Sequence, residues 1–329
     1  METWLVTGGG GFLGSNAGIF LQGRAIAAGF ARTEQQTQRY FDQSISGDLR
    51  DPKGTSEAIR KIKPDVILHC AAISRHQECE RNPELALEIN VEATRILART
   101  AQEIGARFIQ ISTDAVFDGS RGMYTEMDTP NPFSQYGETK LLGEEAASSE
   151  TSALILRTNF FGWSPSGTSS ILEFFVNALE GNHHVKGFTD FTVSTTYVES
   201  LLDAIWALNS RKAEGVFHIA SKDPMSKYDF GIEIAKVFSL DAQLIEAVSE
   251  TIEPRAGVNK RNISLDSTKY ENFTDLVLPT QLAGIQRAKA ERATIQTKLL
   301  EEVENHATYA DLHPDGAALD LRKDLGESL

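Results

Sequence analysis

This sequence has little cysteine, no long apolar run and a deficit of positive charge. Its two cysteines are Cys70 and Cys79. One lies in the apolar run DVILHCAAI and the other in a polar stretch, so they suggest neither a disulfide framework nor a metal-ligand spacing. They suit a reducing compartment. No stretch reaches the roughly 20 apolar residues that a membrane-spanning helix needs. The strand-like TWLVT begins at Thr3, so the expectation is a cytoplasmic protein with no signal peptide and no membrane partner. Lys and Arg number 32 against 46 Asp and Glu, a net charge of −14. That sign disfavours general binding to nucleic acid and leaves room for a local basic pocket around a phosphate.

What is present suits a globular chain. Its 329 residues are 41% hydrophobic and 24% charged, enough for one large or two modest domains with a real core. Short apolar runs at TWLVT, RAIAAGFA, DVILHCAA, RFIQIS, ALILRT and GVFHIA alternate with longer amphipathic stretches such as PELALEINVEATRILARTAQEIGA. That alternation predicts an α/β fold, a Rossmann-type doubly wound parallel sheet with helices on both faces. After Thr158 the rhythm loosens into the loop-like NFFGWSPSGTSS. The expected domains are a dinucleotide-binding domain at 1–161 plus 191–221 and a smaller, discontinuous C-terminal substrate domain at 162–190 plus 222–276. A helix from Leu278 to about Asn305 and a polar tail complete residues 277–329. No internal repeat is visible.

In such sheets ligands bind beyond the carboxyl ends of the strands. TGGGGFLGSN follows the first strand and opens a helix. Gly8, Gly11 and Gly14 give G-x-x-G-x-x-G, and Gly9, Gly11 and Gly14 give G-x-G-x-x-G, so spacing leaves the register open. Either way, glycines admit a pyrophosphate close to the backbone at a helix N-terminus. Phe12 and Leu13 within this turn, and Ala71 and Ala72 after VILHC, are further cofactor-binding candidates. An NAD site usually carries a carboxylate about 20 residues beyond the glycines. Here Arg32 stands at the end of the second strand, with Glu34 two residues on. An arginine there suits a 2′-phosphate, so NADP(H) is the expected cofactor and NAD(H) the alternative. Asp48, followed by Leu49, is read either as a partner of the adenine amino group or as the cap of the helix PKGTSEAIRKI.

QYGETKLLGEE places Tyr136 and Lys140 four residues apart, on one face of a helix. A lysine ammonium near a phenol lowers its pKa from about 10. Such a tyrosine can exchange a proton near neutral pH. Thr113, at the end of RFIQIS, could hold a substrate oxygen. Y-x-x-x-K alone is common by chance; after a phosphate turn and an S-T-D at a strand end it points to carbonyl reduction.

Together TGGGGFLG, GDLRDP, PDVILHCAAISRHQECERNPELALEINV, ISTDAVFDG, NPFSQYGETKLLGE, ILRTNFFG and RNISLDSTK resemble the extended short-chain dehydrogenase/reductase family, in its dTDP-4-dehydrorhamnose reductase branch. The resemblance spans most of residues 3–270. It implies NADP-dependent or dual-cofactor reduction of a 4-keto sugar on a nucleoside diphosphate. Carried over by position, Thr113, Tyr136 and Lys140 form the catalytic trio, and Tyr136 and Lys140 also contact the cofactor. Ser74, Asp114, Ala115, Asn159 and Phe160 fall on the substrate side. Two of these depart from the branch: Ala115 stands where an aromatic residue is usual, and Phe160 where a tryptophan is. Arg255 and Arg261, with Lys260, could clamp a substrate diphosphate or form a solvated basic loop. The reading leaves room for a homodimer.

Two alternatives share the fold. Dehydratases of the family carry Asp-Glu after the threonine; Asp114–Ala115 argues against dehydration and leaves an epimerase open. A non-catalytic NADP-binding regulatory subunit is the other, since the methionine adenosyltransferase beta subunit resembles the same branch. His183–His184 lacks a third ligand and reads as a surface loop, with no metal expected. Asn90 reads as a structural hydrogen bonder or a brace for the site, and Cys70 as a small core residue.

Overall fold

The computed structural model describes residues 1–249, 261–299 and 319–320. In chain order, its first elements are β1 Thr3–Thr7, α1 Phe12–Leu21, β2 Ile26–Ala31, β3 Gln43–Ser46, α2 Pro52–Ile62, β4 Val66–His69, α3 His76–Arg81, α4 Pro83–Leu87, α5 Ala93–Ile104, β5 Arg107–Thr113, α6 Gln135–Glu150 and β6 Leu154–Thr158. Then follow β7 Phe160–Phe161, α7 Ile171–Glu180, β8 Val185–Phe188, β9 Phe191–Val193, β10 Thr196–Tyr197, α8 Val198–Ser210 and β11 Gly215–Ile219. The last are β12 Met225–Ser226, α9 Lys227–Phe238, β13 Ile245–Val248, β14 Arg261–Asn262, α10 Thr268–Thr274, α11 Gln281–Leu299 and β15 Leu319–Asp320.

The chain divides into two compact units. Unit 1 comprises Met1–Phe117, Glu126–Thr158 and Leu202–His218. Its seven-stranded sheet has the order β11-β6-β5-β4-β1-β2-β3, with β1 to β6 pairing in parallel. This is the doubly wound α/β sheet expected from the strand–helix alternation. Strands covered on both faces have no polar side, so Leu5, Phe30, Ile67, Phe108 and Ile155 pack into one core with Ile59, Leu97 and Ala101. Trp4 stacks on Trp206 of α8, ring centroids 5.7 Å apart.

Two local departures from expectation bear on the site. β4 ends at His69 instead of continuing through Ala72. There the chain leaves the sheet to cross the glycine turn, and the Ala71 N–H donates to Thr7 Oγ1 at 3.3 Å. The long helix expected from Pro83 is interrupted by a π turn over Glu88–Glu92, a widening that is frequent at functional sites. A third correction concerns the cap of α2. It is Asp51, whose carboxylate accepts from Gly54 N at 3.0 Å ahead of Pro52, and not Asp48.

Unit 2 comprises Asp118–Thr125, Asn159–Leu201 and the described residues from Ile219 onward. It holds three small sheets: β10-β7, β12-β9-β14 and β13-β8-β15. NFFGWSPSGTSS is mostly loop, but Phe160–Phe161 pairs with Thr196–Tyr197. Ser170 then starts α7 with a capping box to Glu173. Trp163, Phe161, Tyr197, Phe174 and Phe230 are fully buried, and Trp163 Nε1 donates to the Ala288 carbonyl at 2.9 Å. The helix expected from Leu278 starts at Gln281 and is described to Leu299. Among the described residues no helix is long and apolar enough to cross a membrane.

Candidate active site

In a parallel sheet the carboxyl ends of β1, β4 and β5 share one edge, and unit 1 gathers its chemistry there. The glycine turn leaves β1. Gly8 has φ +67°, and a Cβ there would lie 2.9 Å from Ala71 Cα. Gly11 N donates back to the Gly8 carbonyl at 2.9 Å and precedes α1. A Cβ on Gly14 would lie 2.1 Å from that same carbonyl oxygen. Gly9 is restricted too, since a Cβ there would lie 2.8 Å from Thr37 Cγ2, so both registers left open by spacing have structural support, with the positive φ at Gly8. The backbone of Ala71 lies against the turn, with Ala72 following. Phe12 and Leu13 form the first turn of α1, Leu13 buried beneath it and Phe12 half-buried.

The cofactor-choice candidates lie at the ends of β2 and β3. Arg32 and Glu34 are both exposed. The Asp48 carboxylate binds the Arg50 guanidinium at 2.6 Å, which holds its pKa below the ordinary carboxylate value; the charge of Arg32 adds to this. Leu49 packs against the unit 1 core. An exposed arginine beside a glycine turn fits a phosphorylated ribose, and the turn itself fits a pyrophosphate.

Thr113, Asp114 and Ala115 leave β5 in a tight turn. Thr113 Oγ1 accepts from Ala115 N and donates to Asp114 Oδ1, both at 3.1 Å. All three residues are buried. The start of α6 sits directly on this turn, since a Cβ on Gly137 would lie 2.2 Å from the Ala115 carbonyl oxygen. That close approach brings Tyr136 to the Thr113 turn, near enough for the Thr113 side chain to act on the phenol electrostatically. One turn on, Lys140 Nζ donates to the Ile111 carbonyl at 2.7 Å. Burial lowers the Lys140 pKa to about 8, against the opposing pull of Glu144.

The expected lowering of the Tyr136 pKa is not what this arrangement produces. Burial pushes the phenol above its ordinary value, Thr113 offsets part of that, and Asp114 and Cys79 add to the rise. The physical reason is that desolvation disfavours the phenolate while the Lys140 ammonium is engaged by a backbone carbonyl. A tyrosine in this state stays protonated at neutral pH.

Several residues outside the motifs lie around the trio. Asn90, in the π turn, accepts from Ile73 N at 2.9 Å and donates to Ile73 O and Thr139 Oγ1, both at 3.0 Å. It thereby ties the loop after β4 to the residue preceding Lys140, combining the two readings left open for it. Glu144 is gripped by Arg157 at 2.8 Å and by the hydroxyl of Ser112, next to Thr113. The E of YGETKLLGE and the R of LRT carry no periodic signal of their own; only the fold pairs them. His69 is a structural link, bonded to Thr7 at 2.7 Å and Thr94 at 3.0 Å and held neutral by burial, its pKa near 3.

The remaining candidates lie on separate elements. Ser74 is exposed in the loop after β4. In unit 2, Asn159 accepts from Thr196 N at 2.9 Å, Phe160 is half-buried in β7, and Arg261 lies 5.3 Å from the Phe191 ring centroid. Arg255 falls outside the described residues. His183 and His184 follow α7, and among the described residues no group of three or more His, Cys, Asp or Glu could hold a metal ion.

Comparison with known proteins adds the family. The profile of the RmlD substrate binding domain matches residues 2–293. The chain is 30% identical over 254 residues to the dTDP-4-dehydrorhamnose reductase of Escherichia coli, covering 73% of this chain and 84% of that one. It is also 30% identical over 281 residues to methionine adenosyltransferase 2 subunit beta of Bos taurus, covering 82% and 81%. Among solved structures, a hypothetical dTDP-4-dehydrorhamnose reductase from Sulfolobus tokodaii superposes with a TM-score of 0.73 at 31% identity, covering 86% of this chain and 99% of that one.

Proposed function

This chain belongs to the RmlD substrate binding domain family, and on that premise we propose that it is an NADP(H)-dependent oxidoreductase reducing a nucleotide-linked 4-keto-6-deoxy sugar. The observation that carries the reading is the gathering of Thr113, Tyr136 and Lys140 at the strand edge that also bears the Gly8–Gly14 turn. The turn and the α1 N-terminus would hold the pyrophosphate, and Arg32 the 2′-phosphate. When bound there, the nicotinamide would supply the hydride equivalent for the carbonyl carbon. Tyr136 donates its phenolic proton to the carbonyl oxygen. Thr113 would steady the substrate oxygen, and Lys140, one turn on from Tyr136, would move from the Ile111 carbonyl to support the phenolate left behind.

A second reading, a cofactor-binding subunit without turnover, is supported by the equal 30% identity to the reductase and to the adenosyltransferase subunit. One experiment separates them: NADPH oxidation with a panel of nucleoside-diphosphate 4-keto sugars, wild type against Tyr136→Phe. The reductase reading expects turnover that falls by roughly 10²- to 10⁴-fold in the variant, with NADPH affinity little changed. Undiminished turnover in Tyr136→Phe removes the tyrosine from its assigned role. NADPH binding with no turnover of any panel member favours the subunit.

A further inference from the structure

Three rings lie in series at the start of α6. His76, the first residue of α3, has its ring centroid 4.9 Å from that of Tyr136, with the planes 51° apart. On Phe133 it stacks at 6.0 Å and 22°. The imidazole is 3% exposed, so it belongs to the packing around Tyr136 and not to the solvated surface. α3 is tied down through two adjacent residues of its C-terminal half. Glu80 accepts from Gln135 N at 2.9 Å, at the start of α6. Cys79 Sγ donates to the Ile73 carbonyl at 3.5 Å, the same carbonyl that Asn90 holds.

A tyrosine on the first turn of a helix has two side-chain torsions to settle. Thr113 acts on the phenol oxygen but does not fix the plane of the ring. Neither Y-x-x-x-K nor S-T-D supplies the second restraint, whereas a neighbouring ring in a tilted contact does.

We propose that His76 is a positioning residue for Tyr136: its ring, backed by Phe133, fixes the tyrosine ring plane so that the phenol meets the reacting oxygen. This rests on the assignment of Tyr136 as proton donor. It predicts that ring shape at position 76 matters more than the imidazole nitrogens do.

The test compares wild type, His76→Phe, His76→Leu and Tyr136→Phe. The first readouts are kcat, KM and NADPH affinity. His76→Leu should lower kcat about tenfold, with KM and NADPH affinity within about twofold; His76→Phe should keep wild-type kcat. Unchanged kcat in His76→Leu overturns the proposal, as does an equal loss in both His76 variants or a loss shared by kcat and NADPH affinity. Should His76→Leu fail to fold, His76→Met repeats the comparison with another side chain that lacks a ring.

A second readout needs no substrate. The near-ultraviolet circular dichroism of Tyr136 is obtained by subtracting the Tyr136→Phe spectrum, taken in each His76 background. It should weaken in His76→Leu and persist in His76→Phe, and an unchanged band in His76→Leu overturns the proposal. If Tyr136→Phe turns over normally, the proton-donor assignment fails by itself, while this band still decides whether His76 orders the ring.

Discussion

Glu144 in unit 1 and Glu173 in unit 2 are both buried helix carboxylates, 4% and 1% exposed, and they are satisfied by opposite means. Glu144 meets a full positive charge: Arg157 binds it through three N–H···O contacts of 2.8–3.2 Å. Glu173 meets dipoles. It accepts from the Ser164 N–H at 2.6 Å and hydroxyl at 2.8 Å, and from the N–H groups of Ser169 at 2.8 Å and Ser170 at 3.2 Å. Those bonds do not offset desolvation, and burial raises the Glu173 pKa to about 7. The contrast separates two uses of a buried acid. Unit 1 places Glu144, paired with Arg157, one turn beyond Lys140, where the carboxylate favours the lysine's charged form. In unit 2 an acid organises the loop 164–170 and titrates near neutrality.

The sharpest way to break this comparison is to remove one partner of the matched pair. Arg157→Met leaves Glu144 buried without its counter-charge and should cost about 3–5 kcal/mol in urea unfolding. Adding Glu144→Gln to that variant should recover much of the loss. A small effect of Arg157→Met alone would show that the pair is not what satisfies the site.

The acid of unit 2 is tested by pH. A folded-state pKa raised from 4.5 to about 7 favours the protonated form in the native state. Its contribution to stability is therefore fully present below pH 4.5 and is lost as pH rises towards 7. Glu173→Gln should flatten the pH dependence of the urea midpoint over that window, whatever the variant's absolute stability. An unaltered slope would contradict the assignment. The smallest effect belongs to the surface: the exposed Arg99 pairs with the half-buried Glu150 at 2.8 Å, so Arg99→Ala should leave the urea midpoint essentially where it was.

Much of unit 1 was legible because its signals are local. TWLVT is β1 residue for residue, and ALILRT differs from β6 by one residue, since buried parallel strands read as short continuous apolar runs. The spacings of the glycine turn and of Tyr136–Lys140 are equally local. Helix starts were less legible: Asp48 and Asp51 are both good capping residues, and only backbone geometry selects Asp51. Unit 2 was harder, because two- and three-residue strands such as Phe160–Phe161 and Thr196–Tyr197 are too short to show alternation.

Sequence alone determined the class of fold, the glycine-rich turn after β1 and the positions of the catalytic candidates, because each rests on short local patterns. The tertiary structure decided the rest. Glu144 with Arg157, Asn90 with Ile73 and Thr139, and His76 with Tyr136 are partners 13 to 60 residues apart, brought together by packing that no local pattern encodes. It also reversed the direction expected for the Tyr136 pKa. A spacing of four residues fixes which face two side chains share, but the free energy of a charge depends on how much water the surrounding fold excludes.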